Sequence, residues 1–304
     1  MSLFFQPLLR LYYRGSRFVD PIDGSRYRKF LPYGYGKQLR TNALCPGTLS
    51  LERHRLLWLY LDRKTTFLKQ SLKVLHVAPE QLSGILLTHE HGDHVRGLDV
   101  FLRKCPVPIL ASIMTSRVVK EGLRESVEWI LFESGQKFSW KGFDFTTFPL
   151  PHDAVEPVGY VIARGGCSIG VATDLGHVDA QVTQALKGVQ GLVLEANYEW
   201  PMLEADQKRP FSTKQRISSQ HGHLSNEQAA DLIAELVPDG LKQVILGHLS
   251  SDCNCPMKAV EVVRERIGGE ELEICVASQN EVTPWQEMEE TIDPAFYGEL
   301  FGPR

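Results

Sequence analysis

Gly84-Ile85-Leu86-Leu87-Thr88-His89-Glu90-His91-Gly92-Asp93-His94 governs the reading of the whole chain. Its first half is a compact apolar run, the pattern of a short buried strand. Its second half places four candidate ligands, His89, His91, Asp93 and His94, within six residues. Loops at strand ends are where a scaffold presents side chains to a site. In extended backbone His89 and His91 point the same way, because alternate residues share a face. Asp93 and His94 then turn into the next helix and can serve a second metal. Imidazole and carboxylate donors suit zinc, manganese or iron. One histidine in a loop is ordinarily just solvated; H-x-H-x-D-H directly behind an apolar strand predicts a metal site.

Outward from this motif, strand and helix patterns alternate from residue 67 onward, an α/β order. Helices are expected over 67–77, 93–103, 115–123 and 257–267, and strands over 84–88, 108–111, 143–150, 159–164, 167–172, 192–194, 243–246 and 272–276. Gly165-Gly166 between two strand patterns signals a tight hairpin. Ser225 followed by Gln228 is a capping-box pattern, and Ala229, Leu232, Ile233 and Leu236 give the helix after it one apolar face. Before residue 67, aromatic and basic residues mix without clean periodicity, and Pro32, Gly34, Gly36, Pro46 and Gly47 punctuate them. Residues 56–61 are the one strong apolar run there, helix or strand. The polar tail from Gln279 is expected to run over the surface.

Of the 304 residues, 43% are hydrophobic and 23% charged, which supports a buried core without disulfides and excludes a disordered chain. A net charge of −4 argues against a uniformly basic nucleic-acid binder. The charge is uneven: residues 1–66 carry 12 Lys and Arg against 4 Asp and Glu, the remainder 21 against 33. That basic start reads either as a phosphate-facing arm or as solvated surface. Cys45, Cys105, Cys167, Cys253, Cys255 and Cys275 are scattered, the usage of reduced cytoplasmic thiols. Cys253-Asn254-Cys255 lacks the C-x-x-C spacing of a zinc or redox site. No run approaches the about 20 apolar residues of a membrane span. The apolar start is cut by Gln6, Pro7 and Arg10 and lacks the flanks of a signal peptide. A cytoplasmic protein with no membrane partner is expected.

The H-x-H-x-D-H signature resembles the metallo-β-lactamase superfamily. The resemblance implies an α/β fold, a four-layer αββα sandwich with metals at one edge of its two sheets. It also implies further ligands at strand ends: His152 after Phe148-Pro149-Leu150-Pro151, Asp174 after Gly170-Val171-Ala172-Thr173, and His248 after Val244-Ile245-Leu246-Gly247. Leu194-Glu195-Ala196-Asn197, Gly222-His223-Leu224-Ser225-Asn226-Glu227 and Gly247-His248-Leu249-Ser250 are similar to the E-S-N, G-H-x-S-N-E and H-L-S segments of the YycJ/WalJ-like branch. Ala196 stands in place of the usual Ser, and Gly92 in place of a frequent Ser. The branch is nuclease-like, which implies 5′-to-3′ exonuclease action and DNA as partner.

The resemblance runs over about residues 67–284, and residues 1–66 depart from it. The family opens with G-S-x-S-x-G-N and then L-x-D-x-G; here Leu61-Asp62 echoes the second element, but Arg63-Lys64 follows. A divergent extension and a shifted reading frame both fit that departure. The implied organisation is an atypical basic segment over 1–66, a metallo-β-lactamase-like catalytic domain over 67–284 and a C-terminal tail over 285–304.

On this resemblance, two divalent ions, zinc or manganese, are expected. His89, His91 and His152 would hold one, Asp93, His94 and His248 the other, with Asp174 between them. A metal-bridging hydroxide is the expected nucleophile toward phosphorus. Asp93 and His223 are the expected catalytic residues; His223 reads as phosphate donor or general acid, or else as a local cap partner. Ser225 and Asn226 are expected at the substrate, Ser225 alternatively as a helix cap. Glu195 and Asn197 are expected to support ligands. Lys208, Arg209, Lys214 and Arg216 either contact a nucleic-acid backbone or form a solvated loop. Two other functions compete with the nuclease: a metallo-hydrolase of carboxylic ester, lactone or thioester substrates, and an inactive metal-binding protein with a damaged N-terminus.

Overall fold

Apolar side chains on successive strand positions enter different cores, and this sorting builds the layers. The computed structural model describes residues 72–164, 166–278 and 282–283, together with the backbone of four further strands, Leu9–Leu11, Gly47–Leu51, His54–Trp58 and Gln286–Met288. The first sheet contains β1 (Leu9–Leu11), β2 (Gly47–Leu51), β3 (His54–Trp58), β4 (Gly84–Leu86), β5 (Ile109–Ser112), β6 (Trp129–Phe132) and β14 (Gln286–Met288). Its order is β14-β1-β2-β3-β4-β5-β6, with β3 to β6 parallel and β2 antiparallel to β3. The second sheet contains β7 (Lys137–Trp140), β8 (Phe143–Pro149), β9 (Val158–Arg164), β10 (Cys167–Ala172), β11 (Gly191–Glu195), β12 (Gln243–Gly247) and β13 (Glu273–Val276). It runs β13-β12-β11-β10-β9-β8-β7, antiparallel from β7 to β10 and parallel from there to β13.

Leu86 and Leu110 of the first sheet meet Phe145, Tyr160, Ile169, Val171, Val193 and Ile245 of the second in one core between the sheets. Their neighbours Ile85, Leu87, Ile109 and Ala111 point the other way, onto α2 (Leu98–Leu102) and α3 (Ile113–Glu121). Leu192, Leu194, Val244 and Leu246 likewise pack against α4 (Ala180–Leu186), α7 (Asn226–Leu236) and α8 (Pro256–Ile267). The result is the four-layer αββα sandwich. Strands buried on both faces read as continuous apolar runs, which is why 84–87 and 243–246 carry no polar alternation.

Local signals act as the sequence predicts in several places. The Ser225 hydroxyl accepts from Gln228 N (3.2 Å) and the Gln228 side chain accepts from Ser225 N (2.9 Å), closing the capping box of α7. β9 and β10 pair antiparallel through Arg164 and Cys167, with Gly166 at φ +80°. The expected helix over 93–103 is instead two short ones, α1 (Gly92–Val95) and α2, with Gly97 between them. Glycine is a poor interior helix residue. Of the helix expected over 67–77, residues 67–71 lie outside the described residues and 75–77 are not helical. From the tail, Gln286–Met288 pairs in parallel with β1. Most of residues 1–66, and the tail beyond Met288, lie outside the described residues, and with them the expected basic segment and surface tail. Among the described residues no helix is long and apolar enough to cross a membrane.

Two hydrogen bonds across the sandwich fix the loop that follows β4. The Tyr160 hydroxyl, fully buried on β9, donates to the Leu87 carbonyl. Val158 N donates to the Thr88 carbonyl at 3.0 Å. Both acceptors lie immediately before His89. Tyr160→Phe removes the buried donor and is expected to cost about 1–3 kcal/mol of stability. A urea titration should show a lower midpoint at unchanged slope; an unchanged midpoint would mean that this bond contributes nothing.

Candidate metal centre

The site lies along one edge of the sandwich, where five strands end. β4 leads to His89, His91, Asp93 and His94; β8 to His152; β10 to Asp174; β11 to Glu195 and Asn197; β12 to His248. Asp174 and His248 adopt φ of +62° and +59°, the left-handed region that non-glycine residues seldom occupy. Strained backbone of this kind clusters at functional sites.

Among the described residues three groups of donor atoms form, each within 4.8 Å: His89, His91 and His152 in one, Asp93, His94, Asp174 and His248 in a second, and Asp174, Glu195, His223 and His248 in a third that overlaps the second. The His89 and His152 ring centres are 5.0 Å apart and those of His89 and His94 4.0 Å, so the first two groups adjoin. Asp174 faces both, with Oδ2 3.2 Å from His94 Nε2, and Oδ1 2.9 Å from His248 Nε2 and 4.0 Å from His152 Nε2. All seven residues expected as ligands therefore come together.

The backs of the rings are held by protein. Thr88 Oγ1 lies 3.1 Å from His89 Nδ1 and 3.2 Å from His94 Nδ1. His152 Nδ1 is 3.0 Å from the Gly222 carbonyl, and His248 Nδ1 is 3.1 Å from Glu195 Oε2. A carbonyl oxygen only accepts, so His152 carries its proton on Nδ1 and turns the Nε2 lone pair inward, whereas His248 Nδ1 meets both Glu195 and the Asn197 Nδ2 donor (3.0 Å). Asn197 Nδ2 donates to the His248 carbonyl at 2.9 Å. The buried His89 Nε2 finds no hydrogen-bond partner among the described residues, although unpaired buried polar atoms are uncommon. A divalent cation would satisfy it, and the imidazole and carboxylate set fits zinc or manganese.

The electrostatics fit the same reading. Burial holds His89 and His248 well below the ordinary imidazole range and lowers His152, leaving neutral rings able to bind metal. For His94 burial acts in the same direction, but Asp174 outweighs it and raises the ring. Burial alone would push Asp174 up; His94 and the surrounding imidazoles overcome that and keep its carboxyl below the usual range. Burial pushes Glu195 up to about 7. Burial opposes a charge on His223 too, yet Glu195 beside it raises the ring to about 9.

His223 stands 3.9 Å from Asp174 Oδ1 and 3.2 Å from Glu195 Oε1, facing the cleft that opens over both groups. Glu195 also accepts from Asp174 N (2.6 Å) and Leu224 N (2.7 Å), tying three loops together. The cleft, about 450 Å³, is lined by Asp93, His152 and His223 and walled by Thr213 and Arg216 of α6 (Phe211–Ile217). Ser225 and Asn226 are not brought to it. Ser225 caps α7, and Asn226 is buried, donating to Glu199 Oε2 (2.8 Å) and Asn254 Oδ1 (3.0 Å). The sequence reading gave no role to Thr88, Asp153 or Gly222. Thr88 and Asp153 directly adjoin ligand positions, and that adjacency was the available signal. A β-carbon on Gly222 would sit 2.2 Å from the carbonyl oxygens of Arg216 and Ile217, so only glycine allows α6 to pack there.

Comparison with known proteins agrees with this architecture. The profile of the family described as Beta-lactamase superfamily domain matches residues 58–249, and the chain belongs to the metallo-β-lactamase superfamily of hydrolases. Within it, the chain is 34% identical over 175 residues to Exodeoxyribonuclease YycJ of Bacillus anthracis, covering 57% of this chain and 66% of that protein. It is 33% identical over 180 residues to Exodeoxyribonuclease WalJ of Streptococcus pneumoniae, covering 58% and 66%. The match thus spans just under two thirds of each relative's length. The crystal structure of the metallo-β-lactamase fold protein YhfI of Bacillus subtilis superposes with a TM-score of 0.60 at 17% identity, covering 79% of this chain and 96% of that one, a likeness of fold.

Two outcomes follow from the ring geometry. Thr88→Val removes the oxygen behind both His89 and His94 and should weaken metal binding about 10- to 100-fold, read by chelator competition; unchanged affinity would show that the rings need no such support. Metal binding should also weaken as pH falls. Protons compete for His94, whose affinity for them Asp174 raises, so calorimetry should record proton release on metal uptake. A pH-independent affinity would contradict this ligand set.

Proposed function

We propose that the protein is a metal-dependent phosphodiesterase that acts on DNA as a 5′-to-3′ exonuclease in the cytoplasm. The observation that carries this reading is the meeting of two ligand groups at Asp174 beneath a cleft that His223 faces. Identity to two exodeoxyribonucleases over more than half the chain supports the choice of DNA. His89, His91 and His152 would hold one divalent cation, zinc or manganese, and Asp93, His94 and His248 a second, with Asp174 shared. Such cations, when bound, activate water near neutral pH and neutralise charge gathering on phosphoryl oxygens.

The chain's own residues do the rest. His223 is raised to about 9 and so carries a proton at neutral pH. From its position beside Asp174 it donates a hydrogen bond to a phosphoryl oxygen and can deliver its proton to the leaving oxygen. Glu195 balances that charge and holds the ring's orientation through Nδ1. Because Glu195 also bonds the His248 ring and the Asp174 amide, the proton donor and the ligands share one rigid support.

The decisive assay is degradation of 5′-labelled duplex DNA by purified protein with manganese or zinc, with a chelator control and Asp93→Ala alongside. Metal-dependent loss of label is expected, abolished by chelator and reduced at least about 100-fold in the variant. His152→Ala should lower bound metal per chain. Metal-loaded protein that hydrolyses thioesters or lactones but leaves DNA intact would overturn the choice of substrate. Unchanged metal content in both variants would overturn the ligand set.

A further inference from the structure

Four cationic side chains follow one another along the segment that walls the cleft: Lys208, Arg209, Lys214 and Arg216. The structure separates them sharply. Lys208 Nζ is paired with Asp252 Oδ1. Arg209, only 12% exposed, spends Nη1 on Asp206 (2.8 Å) and Nη2 on Asp252 (3.0 Å). Lys214 Nζ donates to the Glu204 carbonyl at 2.7 Å, closing the end of α5 (Trp200–Ala205). These three are occupied in closing the segment on itself and tying it to Asp252, although Arg209 also lines the cleft.

Arg216 differs. Its Nε donates to Asp153 Oδ2 at 2.6 Å, and Asp153 directly follows the ligand His152. Both terminal nitrogens of Arg216 are without a hydrogen-bond partner among the described residues, and the side chain is 57% exposed. Thr213, three residues earlier on α6 and so on the same face, lines the cleft with it. The backbone there is tied to the loop that carries His223. The Arg216 and Ile217 carbonyls rest on Gly222, and His223 N donates to the Ile217 carbonyl at 2.8 Å. A guanidinium oriented through Nε by one carboxylate and lining a cleft has the form of a receptor for a planar pair of oxyanion oxygens.

We infer that Arg216, with Thr213 beside it, binds a backbone phosphate of a polynucleotide next to the phosphodiester being cleaved. This deepens the nuclease reading and rests on it. The cleft edge then selects a polyanionic chain over a small diester, because a substrate with one phosphate has nothing to offer Arg216. Asp153 is the positioning residue, aiming the guanidinium from the same loop that carries His152.

The test compares wild type with Arg216→Gln on a short labelled oligonucleotide and on bis(p-nitrophenyl) phosphate. The variant should raise KM for the oligonucleotide about tenfold while leaving kcat, and turnover of the small diester, within about twofold. The slope of log KM against log salt should fall by about one, the loss of one phosphate contact. Arg216→Lys should restore most of the salt slope and part of the KM. Metal content and thermal unfolding establish that each variant is folded; if Arg216→Gln is not, Thr213→Val should still raise KM for the oligonucleotide alone. Wild type that cleaves the oligonucleotide while Arg216→Gln leaves KM and salt slope unchanged, or affects both substrates equally, overturns the role of Arg216 alone. Wild type that cleaves no polynucleotide overturns the nuclease reading and this inference with it.

Discussion

Asp174 is a carboxylate buried at the end of β10, and the rest of the site is arranged around keeping it ionised. An unpaired buried charge costs several kcal/mol or forces the group to take up a proton. Here His94 approaches Oδ2 at 3.2 Å, the His89 and His152 rings add to the same field, and Glu195 anchors its backbone amide. The left-handed φ of Asp174 is the backbone's contribution: it turns the carboxylate back over the strand end instead of out to solvent. Strain of this kind persists only where surrounding contacts overdetermine the conformation. The Asp174 amide bond to Glu195 and the Gly176 amide bond to the Pro151 carbonyl (2.8 Å) supply that overdetermination.

The imidazoles solve a related problem. A ring that can present either nitrogen is a poor ligand unless its tautomer is fixed from behind. A backbone carbonyl fixes it for His152, and Glu195 together with Asn197 holds His248 from behind. Each comes from an element distant in sequence, so the ligand geometry belongs to the folded sandwich and not to any local motif. The same bonds bind α6 and the 220–226 loop to the strand ends, which places the proton donor and the cleft wall in one frame with the ligands.

Much of this was legible in the chain. The apolar run before Thr88 and the ligand spacing after it carry the local geometry by themselves, because strand alternation and a following helix need no distant contact. His152, Asp174 and His248 were placed through family resemblance plus their positions after apolar strands; alone, each is an unremarkable polar residue. The capping box at Ser225 is a purely local hydrogen-bond exchange and was readable for that reason. Asn226 was not: whether an asparagine faces a cleft or a buried partner depends on Glu199 and Asn254, which the sequence does not bring together. The division at Gly97 was missed because the apolar pattern of 93–103 runs through it. The four cations of 208–216 could not be told apart either, since their partners lie as far off as Asp153 and Asp252.

The departure of residues 1–66 from the family's opening bears on the sheet more than on the chemistry. β2 and β3 pair with each other, and β3 joins β4 through Leu56, Leu57 and Trp58. What they contribute to the first sheet is a flank for β4. Among the described residues, every side chain of the site lies between Thr88 and Ser250, a span that falls almost wholly inside the matched 58–249. β4 is itself held from its other side by β5 and from across the sandwich by Val158 and Tyr160. The loop carrying His89 is therefore braced from two directions that owe nothing to the atypical segment. What β3, fourth of the seven strands, gives β4 is a backbone ladder, and a ladder needs extended backbone more than particular side chains.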